Sequence, residues 1–190
     1  QFNIEVTKDY TEYVKSVSID DAAEYTRKRY NLSMTSDEIK NWWISKVSYA
    51  YAHDVSIFDG VYDYLKTAHE LGLKITTATA LTRDNAVACL KNNNIYQFFD
   101  SLITLEDLTG INNKSQPDIF IKAAESIGLT PSVCLVYEDV PMAINGAKLG
   151  GFKTCAVYDL IGAGSKDCWN EMISASDFAI IAWNLTKKQK

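Results

Sequence analysis

Glu138 and Asp139 stand side by side at the end of an apolar run, Val133-Cys134-Leu135-Val136-Tyr137. Adjacent carboxylates repel each other, so a positive group is expected between them, and hard oxygen donors of this kind favour Mg²⁺. The competing explanation is structural: Asp139 caps the helix that follows, with Pro141 in its first turn. Two further residues fit the same chemistry. Thr79 follows the apolar stretch Leu73–Ala78, where a hydroxyl can hydrogen-bond a phosphate. Lys114 sits in a polar loop just before Pro117, where an ammonium can neutralise phosphate charge. Taken singly, Thr79 reads equally as a helix N-cap and Lys114 as a solvated loop charge. Taken together, a Thr, a Lys and paired acids on successive strand ends make a phosphate-plus-Mg²⁺ site.

The elements that would position these groups can be read from the periodicity. Residues 133–157 alternate as strand, acidic turn, helix and strand, the helix closing on Gly150-Gly151, which is a βαβ unit. In such units the ligand crevice lies at the C-terminal ends of the parallel strands. The same alternation begins near Ile57. A helix over 61–71 is followed by a strand over 73–78, a helix to about Asn92 and a strand over 101–104. Pro117 then opens a helix that Gly128 stops. Beyond the βαβ unit come a helix near 167–173 and a last strand near 178–182. This order implies an α/β, Rossmann-like parallel sheet covered on both faces. Residues 7–54 instead read as helical throughout. Ser18 or Asp20 can cap one helix, and Thr35-Ser36-Asp37-Glu38 caps another that carries Ile39, Trp42, Trp43, Val47 and Ala50 as core positions. We therefore expect a small helical domain over 1–56 and an α/β core over 57–190.

Composition excludes several classes. With 190 residues, 47% hydrophobic and a net charge of -5, the chain holds one core of ordinary size plus a small appendage, and it has no basic surface for nucleic acid. No apolar run is long enough for a membrane span, and the opening residues do not read as a signal peptide. The four cysteines, Cys89, Cys134, Cys155 and Cys168, have no CxxC spacing, and two of them fall in expected buried strands. A reduced, cytoplasmic setting is the expectation.

Three stretches resemble the haloacid-dehalogenase-like (HAD) phosphohydrolases, and most closely their β-phosphoglucomutase-like subgroup with a helical cap. They are Lys74-Ile75-Thr76-Thr77-Ala78-Thr79 for the second motif, Lys114-Ser115-Gln116-Pro117-Asp118-Ile119-Phe120 for the third, and Val136 to Ile144 around Glu138-Asp139 for the fourth. The resemblance implies a HAD-like core with a helical cap, Thr79 and Lys114 binding phosphate, and Asp139 with Glu138 holding Mg²⁺. It implies a phosphatase acting on a small phosphorylated metabolite, a sugar phosphate, through an aspartyl-phosphate. The third motif departs from the family at Ser115, where Pro is usual, and this is expected to loosen the loop. In β-phosphoglucomutases a cap Arg holds a second phosphate. The matching segment here, Lys15 to Asp20, has Ile19 at that position, which argues for a phosphatase over a phosphomutase.

The family's first motif, Asp-x-Asp-Gly, is not found. The nearest text, Ile57-Phe58-Asp59-Gly60-Val61, has a single Asp and lies after the helical part, where the family has a loop leading into a helix. In the family the first Asp of that motif is the nucleophile, on a strand at the middle of the sheet. A separate or further segment completing the sheet is therefore expected, between the strands ending at Thr79 and Asp139, which should not pair directly. The alternatives are a phosphomutase of the β-phosphoglucomutase type, or a catalytically inactive binding protein of HAD fold.

Overall fold

The structure, a computed structural model, describes residues 5–111, 113–159 and 166–180, and in residues 15 and 16 the backbone only. Two compact units are present, Gln1–Asp54 and Val55–Lys190.

The first unit is three helices, and side chains satisfy free N–H groups in the first turn of the second and third. α1 spans Lys8–Ser16, α2 Ile19–Arg29 and α3 Ser36–His53. Ser18 accepts from the Asp21 N–H at 3.1 Å. Thr35 and Glu38 form a reciprocal capping box at the start of α3. Ala22 and Ala23 of α2 and Ile39 of α3 are buried, so the two helices meet through small side chains. Arg29 lies near the rings of Tyr10, Tyr25 and Tyr30 and pairs with Asp9 at 2.7 Å. The expected Trp and Val stripe on α3 is only partly a core: Val47 is 48% exposed, and Trp42 and Trp43 are half-buried. Within this unit α2 packs on one side of the 18-residue α3, and Ile44, Val47 and Tyr49 stay about half exposed.

The second unit alternates helices and strands in chain order. α4 (Val61–Glu70) precedes β1 (Thr76–Thr79), α5 (Arg83–Asn92), β2 (Ser101–Thr104) and α6 (Asp118–Ser126). Then follow β3 (Leu135–Glu138), α7 (Pro141–Leu149), β4 (Lys153–Val157), α8 (Lys166–Ala175) and β5 (Phe178–Ile180). All pairings are parallel: β1 with β2, β3 with β4, and β4 with β5. The last strand was expected to reach 182; residues 181 and 182 lie outside the described residues.

β1 is shorter than the expected 73–78 because its first residues are tied to a side chain before the ladder starts. Asp100 accepts from the Ile75 N–H at 2.9 Å and from Lys74 at 2.6 Å, and Leu73 is largely exposed. Cys134 also falls outside a strand, ending a short turn before β3, whereas Cys155 is buried in β4. Cys89, Cys134 and Cys155 are free thiols. No described helix is long and apolar enough to cross a membrane.

The parallel strands stand as two sheets, and β1 and β3 are not hydrogen-bonded neighbours. They nevertheless share one core. Ile119, Phe120, Ala123 and Ala124 of α6 pack with Ala143 and Ala147 of α7, and Ala78 of β1 and Val136 of β3 both pack against this cluster. On the opposite face of β3, Leu135 and Tyr137 are 41% and 37% exposed. The Tyr137 hydroxyl meets that of Tyr64 of α4 at 2.5 Å. Each of β1 and β3 thus has one edge without a described partner strand.

Candidate active site

Glu138 is the last residue of β3, not a residue beyond it, and its alternation with Val136 turns its side chain towards the α6–α7 core side. It is 6% exposed. A carboxylate so buried requires a cation. That cation is Lys114, whose Nζ donates to Glu138 Oε1 in a short charge-assisted bond. Burial pushes the Glu138 carboxyl above its ordinary range, and the Lys114 ammonium pulls it back only in part. The neighbouring Asp139 charge pushes it further up.

The structural explanations for the three other residues do not hold locally. The N-cap of α5 is Thr82, whose side chain accepts from the Asn85 N–H, so Thr79 is not the cap. Thr79 ends β1, in register with Thr104 at the end of β2, and its hydroxyl accepts from the Leu81 N–H at 3.2 Å. The residue at the N-cap of α7 is Val140, with Pro141 at the first helical position, so Asp139 is not the cap either. The Lys114 side chain is only 19% exposed, which is not a solvated loop charge.

The loop between β2 and α6 carries Lys114 to the end of β3. Its second half lies against α7, where Gly146 removes the side chain that would overlap the Lys114 carbonyl oxygen. Gly150, one turn on, faces the Pro117 ring, where a Cβ would stand 2.9 Å from Pro117 Cβ. The Gly-x-x-x-Gly spacing of 146–150 was the sequence signal for this close approach. Ser115 does not loosen the loop as expected. Its N–H and hydroxyl both donate to Asn113 Oδ1, at 2.9 and 2.6 Å, and a Pro would lack the first of these bonds.

The structure therefore brings Lys114 and Glu138 into contact, and Asp139 follows Glu138 in the chain. Thr79 enters through the β1–β2 pair from which the Lys114 loop departs. Asp59 is placed elsewhere: it precedes Gly60, the N-cap of α4, with φ of 86°, and it does not end a strand. Sequence reasoning missed Arg83 and Asp107, which clamp this loop to α5.

The family profile described as "Haloacid dehalogenase-like hydrolase" matches residues 1–157. The chain belongs to this family. Among curated HAD-like relatives, Pyrophosphatase PpaX of Halalkalibacterium halodurans is 33% identical over 107 residues, 55% of this chain and 49% of its own length. Beta-phosphoglucomutase of Mycobacterium tuberculosis is 33% identical over 98 residues, 50% of this chain and 37% of its own. The chain spans about half or less of the length of these relatives. Among solved structures, beta-phosphoglucomutase of Clostridium difficile superposes with a TM-score of 0.64 at 20% identity, covering 98% of this chain and 80% of that one. CbbY of Rhodobacter sphaeroides, solved with phosphate, superposes at 0.68 and 14% identity, covering 94% and 79%. At these identities the structures establish the HAD fold: a parallel α/β core with an accompanying helical part.

Proposed function

We propose that the intact protein is an Mg²⁺-dependent phosphatase of a small phosphorylated metabolite, a sugar phosphate. The observation that carries this reading is the buried Lys114–Glu138 pair at the end of β3, with Asp139 beside it. A buried ion pair is expensive to build and is weak evidence for stability alone. A cation and two carboxylates at the C-terminal end of a parallel strand suit phosphoryl transfer, where catalysis is mostly positioning and charge stabilisation.

The donor set fits Mg²⁺, which is commonly held through one or two carboxylates together with water and phosphate oxygens. Glu138 and Asp139 would hold it. Among the described residues no group of three or more His, Cys, Asp and Glu side chains could hold a metal by itself, so further ligands would come from substrate and water. When bound, the metal would draw charge from the phosphoryl oxygens. Lys114 would neutralise a phosphate oxygen while keeping Glu138 ionised, and the Thr79 hydroxyl would donate to another.

The unpaired edges of β1 and β3 support a further strand between them, from a segment outside these residues or from another chain. By family resemblance its end would carry the nucleophilic Asp. That carboxylate attacks phosphorus, the ester oxygen leaves with a proton from the second Asp, and water then hydrolyses the aspartyl-phosphate. A phosphomutase is the second reading, favoured by the β-phosphoglucomutase relatives. Against it, Ile19 is an exposed apolar residue opening α2 and offers no charge to a second phosphate.

The test is hydrolysis of p-nitrophenyl phosphate and a panel of sugar phosphates by the protein with the segment that completes the sheet present. Activity that a chelator abolishes and Mg²⁺ restores is expected. A folded, intact protein that binds these esters without turning any over would return the chain to the binding-protein reading.

A further inference from the structure

Arg83, the first residue of α5, makes four bonds to β2 and the loop that follows it. Its Nη2 donates to both carboxylate oxygens of Asp107, at 2.7 and 2.6 Å, and its Nη1 to the Leu102 carbonyl at 3.1 Å. Its own N–H donates to Glu106 Oε2 at 2.9 Å. Asp107 is in turn bound to two other elements. Its carboxylate accepts from the Thr104 N–H at 2.8 Å and the Thr104 hydroxyl at 3.2 Å, and its carbonyl accepts from Lys122 of α6. The Thr104 amide and the Arg83 guanidinium hold the Asp107 carboxyl below its ordinary range.

Two facts separate this cluster from an ordinary surface ion pair, which contributes little. The two guanidinium Nη atoms address different groups, Nη2 the Asp107 carboxylate and Nη1 the Leu102 carbonyl, so the contact fixes orientation as well as distance. Its two ends also lie in the two segments that leave the C-terminal ends of β1 and β2: Arg83 closes the turn that starts at Thr79, and Asp107 lies in the loop that carries Lys114. The ladder alone does not set how these two segments diverge beyond Thr79 and Thr104.

We propose that Arg83 and Asp107 are a positioning pair that sets the placement of Lys114 relative to Thr79, and so the geometry of the phosphate subsite. This rests on the reading of Thr79 and Lys114 as phosphate-binding residues. Neither Arg83 nor Asp107 touches the phosphate; they act through the loops.

The test uses the intact protein and inorganic phosphate as the probe, with binding measured by calorimetry and thermal unfolding measured in parallel. Arg83→Gln, Asp107→Asn and the double variant are compared with Thr79→Ala and Lys114→Ala. Small misplacements of positioned groups cost up to about 100-fold. Arg83→Gln is expected to weaken phosphate about tenfold at a temperature well below its unfolding transition. The double variant is expected to be no worse than the worse single one, and Arg83→Lys, whose single ammonium keeps the charge but cannot address the Asp107 carboxylate and the Leu102 carbonyl with two separate nitrogens, is expected not to rescue. If Thr79→Ala and Lys114→Ala weaken phosphate while Arg83→Gln only lowers the unfolding temperature, the pair is structural and the proposal fails alone. If Thr79→Ala and Lys114→Ala leave phosphate binding unchanged, the phosphate-site reading fails and the proposal with it.

Discussion

Gly146 of α7 and Lys114 of the β2–α6 loop are in backbone contact: a Cβ on Gly146 would overlap the Lys114 carbonyl oxygen and lie 3.0 Å from the Ser115 carbonyl carbon. The helix that follows the acidic pair thus sets the position of the residue that neutralises it. Both obstructing atoms belong to the backbone, so a side-chain rotation cannot relieve the overlap.

Gly146→Ala should therefore move the loop rather than be absorbed. We expect a loss of stability of about 1–3 kcal/mol, the usual cost of overpacking, and a fall in phosphatase activity of tenfold or so from the displaced Lys114. Urea unfolding and steady-state kinetics on the intact protein check both. Wild-type values for the variant would mean the loop is not seated on α7 in solution.

Lys114→Ala leaves Glu138 buried without its cation. Removing one partner of a buried pair costs about 3–5 kcal/mol, so this variant should unfold at markedly lower denaturant concentration. Lys187→Ala, in the sequence run Lys187-Lys188-Gln189-Lys190, is the comparison variant and should change neither stability nor catalysis measurably. Lys114→Ala combined with Glu138→Gln should recover stability but not activity. Recovery of activity in that double variant would remove Lys114 and Glu138 from the phosphate site.

The raised Glu138 carboxyl has a pH consequence. A carboxyl whose folded pKa lies above its unfolded value of about 4.3 binds more protons folded than unfolded. Its contribution to stability is present below that unfolded value and is lost as pH rises through the folded value. Unfolding free energies of the wild type and Glu138→Gln, measured from acid to neutral pH, should therefore diverge, the wild type losing stability relative to the variant as pH rises. Asp107, whose carboxyl is lowered, should behave with the opposite sign: its contribution is present above its unfolded value and is lost as pH falls. Parallel curves for the wild type and Glu138→Gln would place Glu138 in water rather than in the core.

Asp139→Asn tests the metal reading. Neutralising one of two carboxylates should abolish Mg²⁺-dependent hydrolysis by the intact protein and leave its far-UV circular dichroism unchanged. Full activity would remove Asp139 from the ligand set.

The unpaired edges of β1 and β3 make a prediction for exchange. In the 190-residue chain, backbone amides on those two edges should exchange quickly with solvent, because no ladder among the described residues protects them. In the intact protein they should be slow. Equal protection in both would mean that no strand is added there.

Sequence alone determined what depends on neighbours along the chain. Ser18 and Thr35 could be read as caps because a cap bonds an N–H within its own first turn. The parallel α/β alternation was legible because burial on one face imposes its period on every element, and Glu138-Asp139 could be placed at a strand end for the same reason. Only the tertiary structure decided which groups meet across long separations. Glu138 belongs to Lys114, Asp107 belongs to Arg83, and Thr82 rather than Thr79 is the cap of α5. The tight seat of the Lys114 loop on Gly146, and the separation of β1 from β3 over a shared core, depend on how α6 and α7 pack together. Such contacts are settled by packing density and by the cost of burying an unpaired charge, which act between residues distant in sequence and leave little mark on local spacing.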